Sequence, residues 1–242
     1  MQLRNQSREH RTPRVDDFPS RESTHVLLHP WRVCATSGCN RPSLKEEHPG
    51  STSAGEAWEA SKMASESADR GNAMIQRVDN GDLPIGGIQR NDALRLGANF
   101  RVVHILIMNR HNELLLQRTP SHARHPDHWG SSVAGHVGLN ESYDAAAIRK
   151  LREELGVHAQ PGSLGGTSVI DGASRKFIGV YLLPWDGPIS PNPSDYGALC
   201  FVPIDRINMW RRNHGVRFTS TSLHVLRFVR GAHPHLNVDP QL

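Results

Sequence analysis

The run RVVHILIM at Arg101–Met108 constrains this chain more than any other stretch. A strand with one wet face alternates apolar and polar residues; this one does not, so both of its faces must be covered. His104, inside the run, reads as a core histidine with a satisfied hydrogen bond rather than a ligand. Strand-like and helix-like segments interleave around it, which gives an α/β or α+β chain with a mixed sheet.

The remaining elements follow from local pattern. Met74–Val78 and Ile85–Ile88 read as strands joined by a turn at Asn80-Gly81-Asp82. Asn91–Leu96 reads as a short helix, and Glu113–Arg118 as the next strand. After a polar loop at 119–130, Trp129 closes the chain into a short strand at Ser131–Ala134. Gly135–Asn140 reads as a loop and Glu141–Leu155 as a helix, with Asn140 as N-cap and Glu141 and Asp144 in its first turn. Ile148, Leu151 and Leu155 form its inward stripe, and Gly156 ends it in a left-handed conformation. Thr167–Ile170, Phe177–Leu183 and Leu199–Ile204 read as strands, Asp205–Arg211 as a short helix and Phe218–Arg230 as an amphipathic one.

Residues 1–73 are rich in Ser, Arg, Glu, Pro, His and Gly and show no period that could bury a face. They read as a disordered tail, or as an over-long gene model whose start is Met63 or Met74; N-terminal sequencing separates the two. Residues 74–242 form the folded domain. The tail carries ten basic and ten acidic residues, so the net charge of +4 falls on the domain. That excess suits an anionic small substrate; no dense basic patch with interleaved aromatics signals nucleic acid. Three cysteines cannot build a disulfide framework, which points to a reducing compartment. Cys34 and Cys39 lack the second pair of a zinc site, and Cys200 reads as a buried strand residue. No apolar run is long enough to span a membrane and no apolar leader core opens the chain, so the expectation is cytoplasmic. His122, His125 and His128 fall in a Pro-containing loop with Asp127 as its one acid, and read as solvated residues.

Glu153 and Glu154 stand together at the C-terminal end of the predicted helix. Acids there oppose the helix dipole, at roughly 0.3–1 kcal/mol each. A locally broken rule of this kind points to function.

The stretch GHVGLNESYDAAAIRKLREELGV, Gly135–Val157, resembles the Nudix box G-x5-E-x7-R-E-U-x-E-E-x-G-U, where U is a bulky aliphatic residue. Gly135, Glu141, Arg149, Leu151, Glu153, Glu154, Gly156 and Val157 match; Lys150 stands where the family has Glu. The flanking LLLQR, SVAGHV and VPIDRI resemble the branch holding isopentenyl diphosphate isomerases and their hydrolase relatives. The resemblance covers about residues 74–230 and implies a Nudix α/β/α sandwich with a mixed sheet. It implies hydrolysis of a diphosphate linkage in a nucleoside-diphosphate-type or related small substrate, with Mg²⁺ or Mn²⁺ as cofactor. The implied metal ligands are Glu153, Glu154 and the carbonyl of Gly135, with the two acids also the catalytic pair and Glu153 the water-orienting base. Glu141 and Arg149 are implied as a structural pair and Asp195 as an extra acid on a late loop; Arg118, at the end of its strand, is a candidate contact to substrate phosphate.

Lys150 lies three residues before Glu153 and four before Glu154, so it shares their helix face. Its ammonium either occupies the place of the metal or points outward. Two alternatives follow. One is a catalytically impaired Nudix domain that binds without turnover. The other is an isopentenyl diphosphate isomerase, against which stand Ala134 where that enzyme needs cysteine, and Ala93 and Phe100 where it has histidine ligands.

Overall fold

The computed structural model describes residues 71–121, 123–192 and 194–242. His122, Cys34, Cys39 and the tail up to residue 70 lie outside the described residues. The elements are β1 (Met74–Val78), β2 (Pro84–Gln89), α1 (Arg90–Arg95), β3 (Asn99–Met108) and β4 (Glu113–Arg118), followed by β5 (Trp129–Gly130), β6 (Val133–His136) and α2 (Tyr143–Leu155). Then come β7 (Gly162–Asp171), β8 (Ser174–Pro184), β9 (Ala198–Pro203), a 3-10 turn at Ile204–Arg206, α3 (Ile207–Asn213) and α4 (Ser220–Ala232).

β3 is the centre. β8 runs parallel to it along its length, from Phe100 opposite Lys176 to Met108 opposite Pro184. Its other edge is shared among three antiparallel partners: β1 at the start, β6 in the middle and β4 at the end. The sheet is therefore mixed. Successive side chains of β3 feed two separate cores, as strand geometry requires. Phe100, Val102 and Leu106 pack with Val225, Leu226 and Val229 of α4. Val103, Ile105 and Ile107 pack with Ala146, Ala147, Leu151 and Leu155 of α2. The continuous apolar run thus serves a helix on each face, and the architecture is the α/β/α sandwich with a mixed sheet that the resemblance implied. His104 is buried on the α4 side, with Nδ1 2.9 Å from Ser131 Oγ. Burial, with help from Lys176 and His224, pushes its pKa down to about 3, so the ring is neutral.

β3 and β4 part immediately after their hairpin, sharing only the pair Met108–Leu114. Ser132 spans the gap between them. Its hydroxyl accepts from the Ile107 amide at 2.8 Å and donates to the Leu115 carbonyl at 2.6 Å. This explains one correction: the strand expected at Ser131–Ala134 begins at Val133 and takes in Gly135 and His136. Ser131 and Ser132 make the crossing from the β4 edge to the β3 edge instead.

The central helix differs from expectation at its start. Asn140 has φ 59° and lies in the turn, while Ser142 caps α2 by accepting from the Ala145 amide at 3.1 Å. Glu141 precedes the helix, and its carboxylate accepts from the Gly138 amide. Ile148 is an exposed residue and not part of the stripe. Ala146 and Ala147 face the sheet with Leu151 and Leu155, and such small residues bring the helix close, leaving Ile148 at its flank. Gly156 closes the helix at φ 64°, as its sequence position predicts. The helix expected at Asp205–Arg211 starts one residue earlier, as a 3-10 turn that leads into α3. The last helix is capped by Thr219, which accepts from the Ser222 amide. None of the described helices is long and apolar enough to cross a membrane.

Candidate active site

The Nudix-like stretch folds as β6, a turn and α2, so Gly135 lies beside the last two turns of the helix. Glu154 follows Ala147 and Leu151 near the buried stripe, which turns its side chain into the protein, 12% exposed. Glu153 lies a further hundred degrees round the helix and is 41% exposed. Two adjacent carboxylates therefore meet two different environments.

Glu154 is reached from two sides. Tyr196, from the loop between β8 and β9, donates its hydroxyl to Oε2 at 3.1 Å. Lys150 Nζ lies 3.6 Å from Oε1. Burial pushes the Glu154 carboxyl up to about 7; Lys150 and Tyr196 pull it down and Asp195 pushes it further up. Tyr196 is itself raised well above the usual phenol, first by burial and then by the Glu154 charge. Burial also pushes Glu153 up, but Lys150 and Arg149 outweigh it and hold that carboxyl below its ordinary value. Its oxygens lie 3.1 Å from Lys150 Nζ and 3.1 Å from Arg149 Nη1.

Lys150 turns inward. Its stem lies against the Cα of Gly135 so closely that an added Cβ there would stand 2.5 Å from Cε and 2.6 Å from Cδ. Glycine at 135 thus leaves room for the lysine stem as it lies. Among the described residues no three His, Cys, Asp or Glu side chains converge to hold a metal ion. Glu153 and Glu154 already face an ammonium and a guanidinium, so the donor set as it stands does not fit a divalent ion.

Arg149 joins the site to the preceding turn. Its Nε and Nη2 donate to the two Glu141 oxygens, each at 2.7 Å, and Nη2 also donates to the His136 carbonyl at 3.1 Å. Burial raises the Glu141 carboxyl, but Arg149, the Gly138 amide and Lys150 together bring it below its ordinary value. His136 stacks on Phe100, ring centroids 5.3 Å apart. Burial and the cations Arg90, Lys150 and Lys176 lower its pKa to about 3. Ala134 is exposed on β6, and Ala93 and Phe100 are buried in the α4-side core, so none of the three offers a thiol or imidazole.

Arg118 ends β4 on the other side of the Tyr196 segment. It donates from Nη2 to the Gly197 carbonyl at 3.1 Å and lies 3.7 Å from Asp127. Its Nε has no hydrogen-bond partner. It thus borders the site without touching either acid. His125 and His128 sit in their loop with rings 5.7 Å apart. A surface cavity of about 400 Å³ lies elsewhere, lined by Tyr143, Asp82, Thr167, Phe177 and Tyr181. Tyr143 opens α2 while Glu153 and Glu154 close it, about 15 Å away along the axis, so this cavity is separate from the acids.

Tyr196 is the residue that the sequence did not yield. It lies 42 positions beyond Glu154 in a Pro/Gly/Asp-rich loop, and only the pairing of that loop with the helix end reveals it. Backbone bonds fix the approach: the Ser190 and Asn192 amides donate to the Leu155 and Glu154 carbonyls.

Comparison with known proteins agrees with this geometry. The NUDIX domain family matches residues 98–219. An uncharacterised Nudix hydrolase of Streptomyces coelicolor is 32% identical over 54% of this chain and 74% of its own length. A second, from Pseudomonas aeruginosa, is 38% identical over 35% of this chain; that match spans only half of the relative. An isopentenyl-diphosphate Delta-isomerase of Photorhabdus laumondii is 27% identical over 57% of this chain and 83% of its own length. A crystal structure of a Deinococcus radiodurans protein superposes with a TM-score of 0.55 at 27% identity, covering 64% of this chain and 98% of that one. With the family match over half of its length and a relative 32% identical over 74% of that protein, the chain belongs to the Nudix family.

Proposed function

We propose that the protein hydrolyses a diphosphate linkage in a small molecule, of the nucleoside-diphosphate type or a related one. The observation that carries this reading is the pair Glu153 and Glu154, held by a buried helix in contrasting environments. Hydrolysis needs a group that takes a proton from the attacking water, and positive charge to meet the phosphates. Glu154, with its carboxyl near 7, has the proton affinity of a general base at neutral pH. Glu153, held low by Lys150 and Arg149, stays an anion and acts as a positioning residue. This moves the base from Glu153 to Glu154. Arg118 is the candidate for a substrate phosphate, because its side chain is 38% exposed at the end of β4.

Mg²⁺ or Mn²⁺ is the cofactor that family membership suggests, and it supplies charge neutralisation and water activation when bound. Gly135, Glu153 and Glu154 are the ligands that the resemblance implies, and they would hold it only with the Lys150 ammonium displaced. Because Lys150 already offsets part of the pair's charge, the roles above are assigned to the chain's own residues.

A phosphate-release screen over nucleoside-diphosphate and isoprenoid-diphosphate substrates, with Mg²⁺ and Mn²⁺, tests the proposal. Turnover is expected in the native chain, falling by about 100-fold or more in Glu154→Gln. The inward Lys150 favours a second reading, a binding module that has lost turnover. Silence in the native chain with turnover in Lys150→Glu would establish that reading and sink the first. Isomer exchange on isopentenyl diphosphate would overturn both.

A further inference from the structure

We infer that Lys150 is a resident cation of the acidic pair: its ammonium holds the position between Glu153 and Glu154 that a divalent ion needs, so metal enters only by displacing it. This deepens the hydrolase reading and rests on it for the identity of the acids that would bind metal.

Three observations converge. The ammonium bridges the two carboxylates, 3.1 Å from Glu153 and 3.6 Å from Glu154. The stem packs over the Cα of Gly135, where an added Cβ would stand 2.5 Å from Cε, so the glycine leaves room for the inward rotamer. Each acid has one further partner, Arg149 at Glu153 and Tyr196 at Glu154. An outward lysine would leave Glu154 largely buried beside Glu153 with its main counter-charge gone, and that cost holds the lysine in.

Charge determines the consequence. A lysine in place of a glutamate changes the local charge by two, and a divalent ion then meets both a missing ligand and a repelling neighbour. The ammonium carries a single charge and three N–H donors, so it can offset part of the negative charge that a metal would otherwise meet. The site is thereby expected to take fewer divalent ions, more weakly, than two free carboxylates at the same place.

The test is a Mn²⁺ titration of the full chain, with free Mn²⁺ followed by electron paramagnetic resonance. Native protein is compared with Lys150→Gln, Lys150→Glu and the charge-conserving Lys150→Arg. Apparent affinity is expected to rise about tenfold in Lys150→Gln and further in Lys150→Glu, and to stay near native in Lys150→Arg. Equal affinity in native and Lys150→Gln overturns the inference. So does a rise in Lys150→Arg as large as that in Lys150→Gln, which would assign the effect to shape. Lys150→Met takes the place of Lys150→Gln should that variant misfold, as judged by circular dichroism and thermal midpoint. Phosphate release from the same preparations separates the two readings. Turnover with unchanged Mn²⁺ affinity sinks only the lysine inference, and tightened Mn²⁺ binding without turnover in any variant sinks only the hydrolase.

Discussion

Glu154 is a carboxylate that the fold makes much harder to ionise. Its carboxyl is raised to about 7 from an ordinary value of 4.5, chiefly by burial. Below 4.5 both folded and unfolded chains hold the proton, and the group costs nothing. Between 4.5 and 7 the unfolded chain releases a proton that the folded one keeps, so stability falls as pH rises. Above 7 the loss is complete, at most roughly 3 kcal/mol. Urea unfolding of the native chain and Glu154→Gln at pH 5 and pH 8 should show the native chain losing that much more than the variant. An equal change in both would mean that Glu154 is not desolvated. The same shift supports the base proposed at residue 154: identical side chains one position apart differ because one lies beside the buried stripe and the other does not.

At the scale of the element, α2 is set by its ends. Ser142 caps it and Gly156 closes it, leaving thirteen residues that aim Lys150, Glu153 and Glu154 at one spot. Ser142→Ala should cost about 1 kcal/mol of unfolding free energy. Asn140→Gly should cost almost nothing, because Asn140 occupies a left-handed turn position that glycine adopts freely. Chemical denaturation of the two variants distinguishes the caps, and the reverse order would restore Asn140 as the cap. Sequence alone favoured Asn140 because asparagine caps well. It could not show that Glu141 is withdrawn from the first turn to serve the Gly138 amide and Arg149.

At the scale of the whole molecule, β3 makes two cores one folding unit. Ile105 and Leu106 are adjacent and fully buried, yet the first packs under α2 and the second under α4. Ile105→Ala and Leu106→Ala should each cost about 3 kcal/mol. Because both cores hang on one strand, each variant should lower a single transition seen alike by circular dichroism and fluorescence. Two separate transitions would show that the layers melt independently. The divergence of β3 and β4, bridged by Ser132, opens the sheet beside the acids, and Tyr196 enters there, its hydroxyl 3.5 Å from the Ser132 carbonyl.

The layered class, the central strand, the organising helix and the family were legible in the residues, because hydrophobic period and a fixed-spacing motif are local properties of the chain. The neutral core histidine at position 104 was legible for the same reason: a lone imidazole in a continuous apolar run has nowhere wet to go. Side-chain direction and long-range approach were not legible. The spacing allowed Lys150 to point inward or outward, and the inward rotamer has room because a glycine fifteen positions earlier is brought beside it by the pairing of β6 with β3. Tyr196 and the contrasting burial of Glu153 and Glu154 were likewise decided by tertiary structure, through a loop that closes over the helix end. The Nudix box Gly135–Val157 therefore identified the domain, while packing around it determined that its acids are met first by a lysine of their own helix.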